Sequence, residues 1–119
     1  MTIELNITTT REVTSEEVSN VVHGCGALGY GWWKSVQSEE RDGVTGYVFE
    51  IDDPDVEDAT LTKWVSEQEI VTAASKYLES VRPWNNDERD AATDDLGFFD
   101  ANGADSVLQI AVLGEVAYG

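Results

Sequence analysis

Two tetrapeptides, Thr14-Ser15-Glu16-Glu17 and Ser66-Glu67-Gln68-Glu69, dictate where helices begin in this chain. In each, the first hydroxyl can accept the fourth residue's N–H. The fourth residue's carboxylate can reach back to the first residue's N–H, so two orphan donors of a helix start are satisfied together. Behind the first box, Val18, Val21, Val22 and Cys25 repeat at the spacing of one buried helical face, with Gly24 and Gly26 placed to end it. Behind the second, Ile70, Val71, Ala74, Tyr77, Leu78 and Val81 predict a longer helix that Pro83 stops.

The remaining apolar pattern reads as strand. Ile3, Leu5 and Ile7 alternate with polar neighbours, which is the period of a half-buried first strand. Aromatic and β-branched residues dominate 32–37 and 44–51, on either side of Glu39-Glu40-Arg41-Asp42-Gly43, and the Asp-Gly pair predicts a β-hairpin. Leu61 and Trp64-Val65 suggest a further short strand. Residues 84–104 read as a long polar connection pinned by Trp84, Leu96, Phe98 and Phe99. Asp105 or Ser106 is then expected to cap a final apolar segment, 107–116, read as a buried helix with a strand as the rival. This order, without a βαβ rhythm, predicts an α+β fold: one small domain over 1–119, with an antiparallel sheet of three to four strands covered by about three helices.

Charge limits the partners. There are 24 Asp or Glu against 7 Lys or Arg, a net charge of −17. No basic face is available for phosphate, so direct nucleic-acid binding is not expected and a charged partner should be positive. The acidity is regional: residues 39–58 carry nine acids and one Arg, residues 85–105 seven acids and one Arg, while 59–84 are balanced. Salt adaptation would spread acid over every exposed face. The sharper reading is an acidic face, including Asp52, Asp53, Asp55, Asp58, Asp94 and Asp95, that imitates a nucleic acid and occupies a basic groove. No apolar run is long enough to span a bilayer, and the opening residues lack the pattern of a secretory signal. Together with the lone Cys25, they suggest a cytoplasmic protein.

No reaction is specified. His23 and Cys25 fall short of the four ligands of a structural zinc site, and i, i+2 positions on a helix diverge. Asp53, Asp55, Glu57 and Asp58 lack the Gly and Glu positions of a calcium loop. The GxGxxG at 24–29 follows a helix rather than a strand, against a dinucleotide site. No catalytic residue, metal or cofactor is therefore expected. Tyr30, Trp32 and Trp33, set among glycines, either fill the core or supply an aromatic anchor for a partner.

The terminal run Leu108-Gln109-Ile110-Ala111-Val112-Leu113-Gly114-Glu115-Val116-Ala117-Tyr118-Gly119 resembles the Leu-Gln-x-Ala-x-x-Gly-Glu-x-x-Tyr-Gly signature of a family of small, largely uncharacterised phage and prophage proteins. Gly24-Cys25-Gly26 followed by Tyr30-Gly31-Trp32-Trp33 resembles that family's glycine and aromatic segment. The resemblance implies a viral or proviral accessory protein made in the cytoplasm of an infected host cell, and the expected function is non-catalytic binding of a host protein, with inhibition of a nucleic-acid-handling or defence protein through the acidic face as its sharper form. A small-molecule binder or hydrolase using the glycine and aromatic segment is the alternative. A homodimer through 107–116 is the plainer use of an apolar patch.

Overall fold

The computed structural model describes residues 1–4, 10–80 and 91–119. Strands β1 (Thr2–Glu4) and β2 (Thr10–Glu12) form an antiparallel pair, and β3 (Trp33–Arg41), β4 (Val44–Asp52) and β5 (Thr60–Ser66) form an antiparallel sheet in that order. Helices α1 (Ser15–Ser19), α2 (Glu67–Ser80) and α3 (Ala101–Leu113) supply the other layer, so the α+β expectation holds.

Both capping boxes form. Thr14 accepts from Glu17 N–H at 3.2 Å while Glu17 Oε2 accepts from Thr14 N–H at 3.0 Å, and Ser66 and Glu69 exchange the same pair at 3.1 and 3.3 Å. Beyond α1 the backbone widens into a π turn, Asn20–Gly24, that still buries Val21 and Val22. Gly26, at φ +90°, reverses the chain into a short 3₁₀ turn, Ala27–Gly29.

The hairpin is longer than its apolar pattern suggested. Asp42 (φ 50°) and Gly43 (φ 80°) make a two-residue turn of the primed kind, so Glu39, Glu40 and Arg41 belong to β3 rather than to a loop. Tyr47, Phe49, Ile51 and Val65 point from the sheet into the core. There they join Val18 of α1, Val21 of the π turn, Ile70, Val71, Ala74 and Leu78 of α2, and Ala104, Val107 and Leu108 of α3.

Two expectations are corrected, and a third is met as far as it can be followed: the expected first strand is present over Thr2–Glu4, where it pairs with β2. Leu5, Ile7, Val81, Pro83 and Trp84 lie outside the described residues. The polar connection is shorter than 84–104, because residues 91–94 are helical, Leu96–Phe98 form a 3₁₀ turn, and α3 starts at Ala101. Its cap is Asp100, whose carboxylate accepts Gly103 N–H at 2.6 Å. Asp105 and Ser106 are therefore inside the helix and buried. The apolar segment 107–116 is largely core: Val107, Leu108, Ala111 and Val112 are buried, Ile110 and Leu113 are half-buried, Val116 is exposed, and Gly114 (φ 86°) ends the helix.

Candidate functional site

Asp105 is the centre around which the aromatic segment is organised. Only 2% exposed, it accepts the indole N–H of Trp32 at 2.8 Å and that of Trp33 at 2.6 Å on Oδ1, and the Gln109 amide at 2.8 Å on Oδ2. Asp105 and Gln109 stand one helical turn apart and so share a face of α3. Among the described residues no cation pairs with Asp105. Three neutral donors solvate the carboxyl group in place of water.

Gln109 is buried and fully used. Its Oε1 accepts the N–H groups of Ala117 and Tyr118, both at 2.9 Å, and its Nε2 also donates to Tyr118 O at 3.0 Å. The tail beyond Gly114 is thereby folded back over α3. It delivers the Tyr118 ring onto Trp32 at 5.3 Å between centroids and 10° between planes. Tyr30 stacks on Trp32 at 4.8 Å and 6°, so Trp32 is held between two tyrosines. Trp33 turns inward, where it is buried against Phe49. Tyr30, Trp32 and Tyr118 are each half-buried, so the stack keeps part of its surface open to solvent.

The stack meets the acidic loop through Tyr118, whose hydroxyl donates to Asp52 O at 2.8 Å. The loop from Asp52 to Ala59 is closed by Asp53 N–H to Ala59 O at 2.9 Å and by Asp55 N–H to Asp53 Oδ1 at 2.8 Å, with Asp58 at φ 60°. Asp52 lies 3.5 Å from Lys34 Nζ. Between the loop and Tyr118 runs a depression of about 360 Å³ lined by Lys34, Asp52, Asp53, Glu57, Asp58 and Tyr118 among others. Burial, reinforced by Asp52, Asp53 and Asp55, raises the Tyr118 phenol above its ordinary value of 10.0.

Of the acidic positions singled out in the sequence, Asp52, Asp53, Asp55 and Asp58 come together in this loop. The acids of 39–42 do not join them. They sit at the hairpin tip, the full length of β4 away, roughly 27 Å at about 3.4 Å per residue. Asp95 caps the 3₁₀ turn by accepting Gly97 N–H at 2.8 Å, and Asp94 is exposed beside it. Residues 85–90 lie outside the described residues. His23 is exposed near Tyr47, and Cys25 is half-buried with its thiol 3.5 Å from Gly97 O.

Sequence reasoning missed Asp105, Gln109 and Tyr118. The signal available was chemical: two adjacent tryptophans both bring indole N–H groups that need acceptors once buried, and Asp105 is the carboxylate that opens the most apolar stretch of the chain. Among the described residues no three His, Cys, Asp or Glu side chains converge as metal ligands, and no helix is long and apolar enough to cross a membrane. Comparison with protein-family models, curated proteins and solved structures gave no match.

Proposed function

We propose that this chain is a non-catalytic accessory protein of a phage or prophage that acts by binding a basic surface of a host protein. The contact surface in this reading is the half-buried stack of Tyr30, Trp32 and Tyr118 together with Asp52, Asp53, Asp55 and Asp58. The observation that carries it is the Tyr118 hydroxyl bond to Asp52 O, which ties the aromatic stack to the acidic loop. Such a patch suits lysine and arginine side chains, which gain from aromatic faces and from carboxylates alike. Trp33 and Asp95 act within the fold and are not counted as contacts. Host proteins that handle nucleic acid, with their basic grooves, are the natural targets, and the effect would be inhibition by occupancy. The hydrolase alternative is weakened by the filling of the aromatic segment: both faces of Trp32 are covered by the chain's own tyrosines.

The test is capture from host lysate at about 0.05 M and about 0.5 M salt. Wild type is compared with a variant in which Asp52, Asp53, Asp55 and Asp58 are changed to Asn. Basic proteins that bind wild type at low salt should be lost at high salt and lost with the variant. Identical partners on the neutralised variant would reject the acidic patch as the contact.

A further inference from the structure

Strand β3 is a long edge of its sheet, with no strand paired to its outer side among the described residues. Residues 34–41 are exposed apart from the half-buried Val36. The two-residue turn makes Arg41 and Val44 the closing pair of the ladder, so residues 35, 37 and 39 bond towards β4. The N–H and C=O groups of Val36, Ser38 and Glu40 then point away from the sheet. Asp52 N–H reaching Trp32 O at 2.8 Å agrees with this alternation from the β4 side.

Charged residues normally protect such an edge from pairing. On β3 they do the opposite, because they are self-complementary. Lys34 and Glu40 stand three residues to either side of Gln37. A second copy of the chain laid antiparallel about a twofold axis at Gln37 brings Lys34 of each copy opposite Glu40 of the other. Ser35 then faces Glu39, Trp33 faces Arg41, and the outward groups of Val36 meet those of Ser38. Glu40 has no ion-pair partner among the described residues, while the exposed Lys34 meets Asp52 at 3.5 Å and donates to Gly31 O at 3.0 Å, contacts within reach of exchange for Glu40 of a second copy. The bulge between Trp33 and Ser35 ends the regular ladder there, so Lys34 contributes through its side chain.

We propose that β3 is the interface of a symmetric homodimer, in which two three-stranded sheets join edge to edge across Gln37. The occupant is a second copy, chosen on charge: about Gln37 the one lysine of each β3 meets the other copy's Glu40, so the two edges complement each other twice. The inference does not depend on the acidic loop having a partner.

Sedimentation equilibrium of the full chain between about 10 μM and about 1 mM reads the association directly. A monomer–dimer equilibrium is expected. Its dissociation constant should rise about tenfold in Glu40→Lys and in Lys34→Glu, which create like-charge pairs, and return towards wild type in the double exchange. In a Cys25→Ser background, Gln37→Cys should form a disulfide-linked dimer on mild oxidation, since a residue on the axis meets its own copy at about 4.5 Å between Cα atoms. Ser35→Cys, which faces Glu39, should not. A chain that stays monomeric over the whole range overturns the proposal. So does a dimer indifferent to Glu40→Lys, a failure of Gln37→Cys to cross-link, or growth into open polymers, which would mean that β3 pairs with β5 instead. Circular dichroism confirms that these exposed-site variants remain folded.

Discussion

Gln109 and Tyr118 hold each other in both directions: the Gln109 amide donates to Tyr118 O at 3.0 Å, and Tyr118 N–H donates to Gln109 Oε1 at 2.9 Å. This fixes which way the Gln109 side chain faces. With Oε1 committed to the tail, Nε2 must face Asp105, and Asp105 must then offer acceptors on both of its oxygens, Oδ1 to two indoles and Oδ2 to Gln109. A carboxylate can do this and an amide cannot.

Asp105→Asn therefore sets N–H against N–H on one side, although its shape is unchanged. Either Gln109 releases the tail or an indole loses its acceptor. The expected cost is about 2–3 kcal/mol in urea unfolding, the penalty of an unsatisfied buried polar group. Hydrogen exchange at the Ala117 and Tyr118 amides should accelerate more than in the rest of the chain. An unchanged midpoint with unchanged exchange would mean that the three donors do not depend on the carboxylate.

What could be read from the sequence follows from the range of the interactions involved. The capping boxes at Thr14 and Ser66 and the Asp42-Gly43 turn are local, settled by residues within four positions of each other, and all three were legible. The start of α3 was not. Asp100 and Asp105 are both good caps in isolation, and what decides between them is the demand of Trp32 and Trp33, more than seventy positions away, for an acceptor. The aromatic segment was legible as a composition, but its division was not. Trp33 faces the core and Trp32 the tail because β3 begins between them, and the partner that completes the stack, Tyr118, comes from the other end of the chain. Regional charge was legible too. Its split between the two ends of the hairpin was hidden, because it depends on where the strands start and stop.

Gly46 is expected to tolerate no side chain. A Cβ there would lie 2.5 Å from Val65 O and 2.6 Å from Trp64 Cε2, because the Trp64 ring crosses β4 at this point to donate to Glu39 O at 2.9 Å. Gly46→Ala should cost about 1–3 kcal/mol, as overpacking does, and should displace the Trp64 ring from Arg41, which it meets at 5.3 Å. Thermal unfolding and the Trp64 Nε1–H resonance check both. A variant as stable as wild type, with that resonance unmoved, would show that the ring does not lie over Gly46.

Glu17 predicts a pH signature. Burial pushes its carboxyl up, but Arg11 at 2.7 and 3.2 Å and the N–H groups of Thr14 and Leu96 outweigh this and leave it below the ordinary 4.5. A group whose folded value is depressed stabilises above its unfolded value and loses that contribution as pH falls through the folded value. Glu17→Gln should therefore be about 1–3 kcal/mol less stable than wild type at pH 7. The gap should narrow below about pH 4.5. Using the difference between the two proteins removes the acid-induced relief of the −17 net charge, which both share. A gap constant from pH 7 to pH 3 would show that the Arg11 contact contributes no charge-dependent stability.

The alkaline side tests whether the aromatic stack and the acidic loop form one surface. The Tyr118 phenol is raised above 10.0, first by burial and then by Asp52, Asp53 and Asp55. Ionisation would also remove the proton that Tyr118 donates to Asp52 O. The direction follows: a raised value favours the folded, protonated form, so the tail's contribution is intact below pH 10 and is lost as pH rises through the raised value. The absorbance titration of wild type minus Tyr118→Phe at about 295 nm, where the phenolate absorbs, should show a step later than that of an ordinary tyrosine. Changing Asp52, Asp53 and Asp55 together to Asn should move the step towards 10 without reaching it, because burial remains the leading cause. Trp32 emission should change over the same interval as its Tyr118 cover departs, and should stay level in Tyr118→Phe, which keeps the ring and has no proton to lose. A step at or below the ordinary value, or one that the Asn changes leave in place, would separate Tyr118 from the field of the loop and dissolve the joined patch.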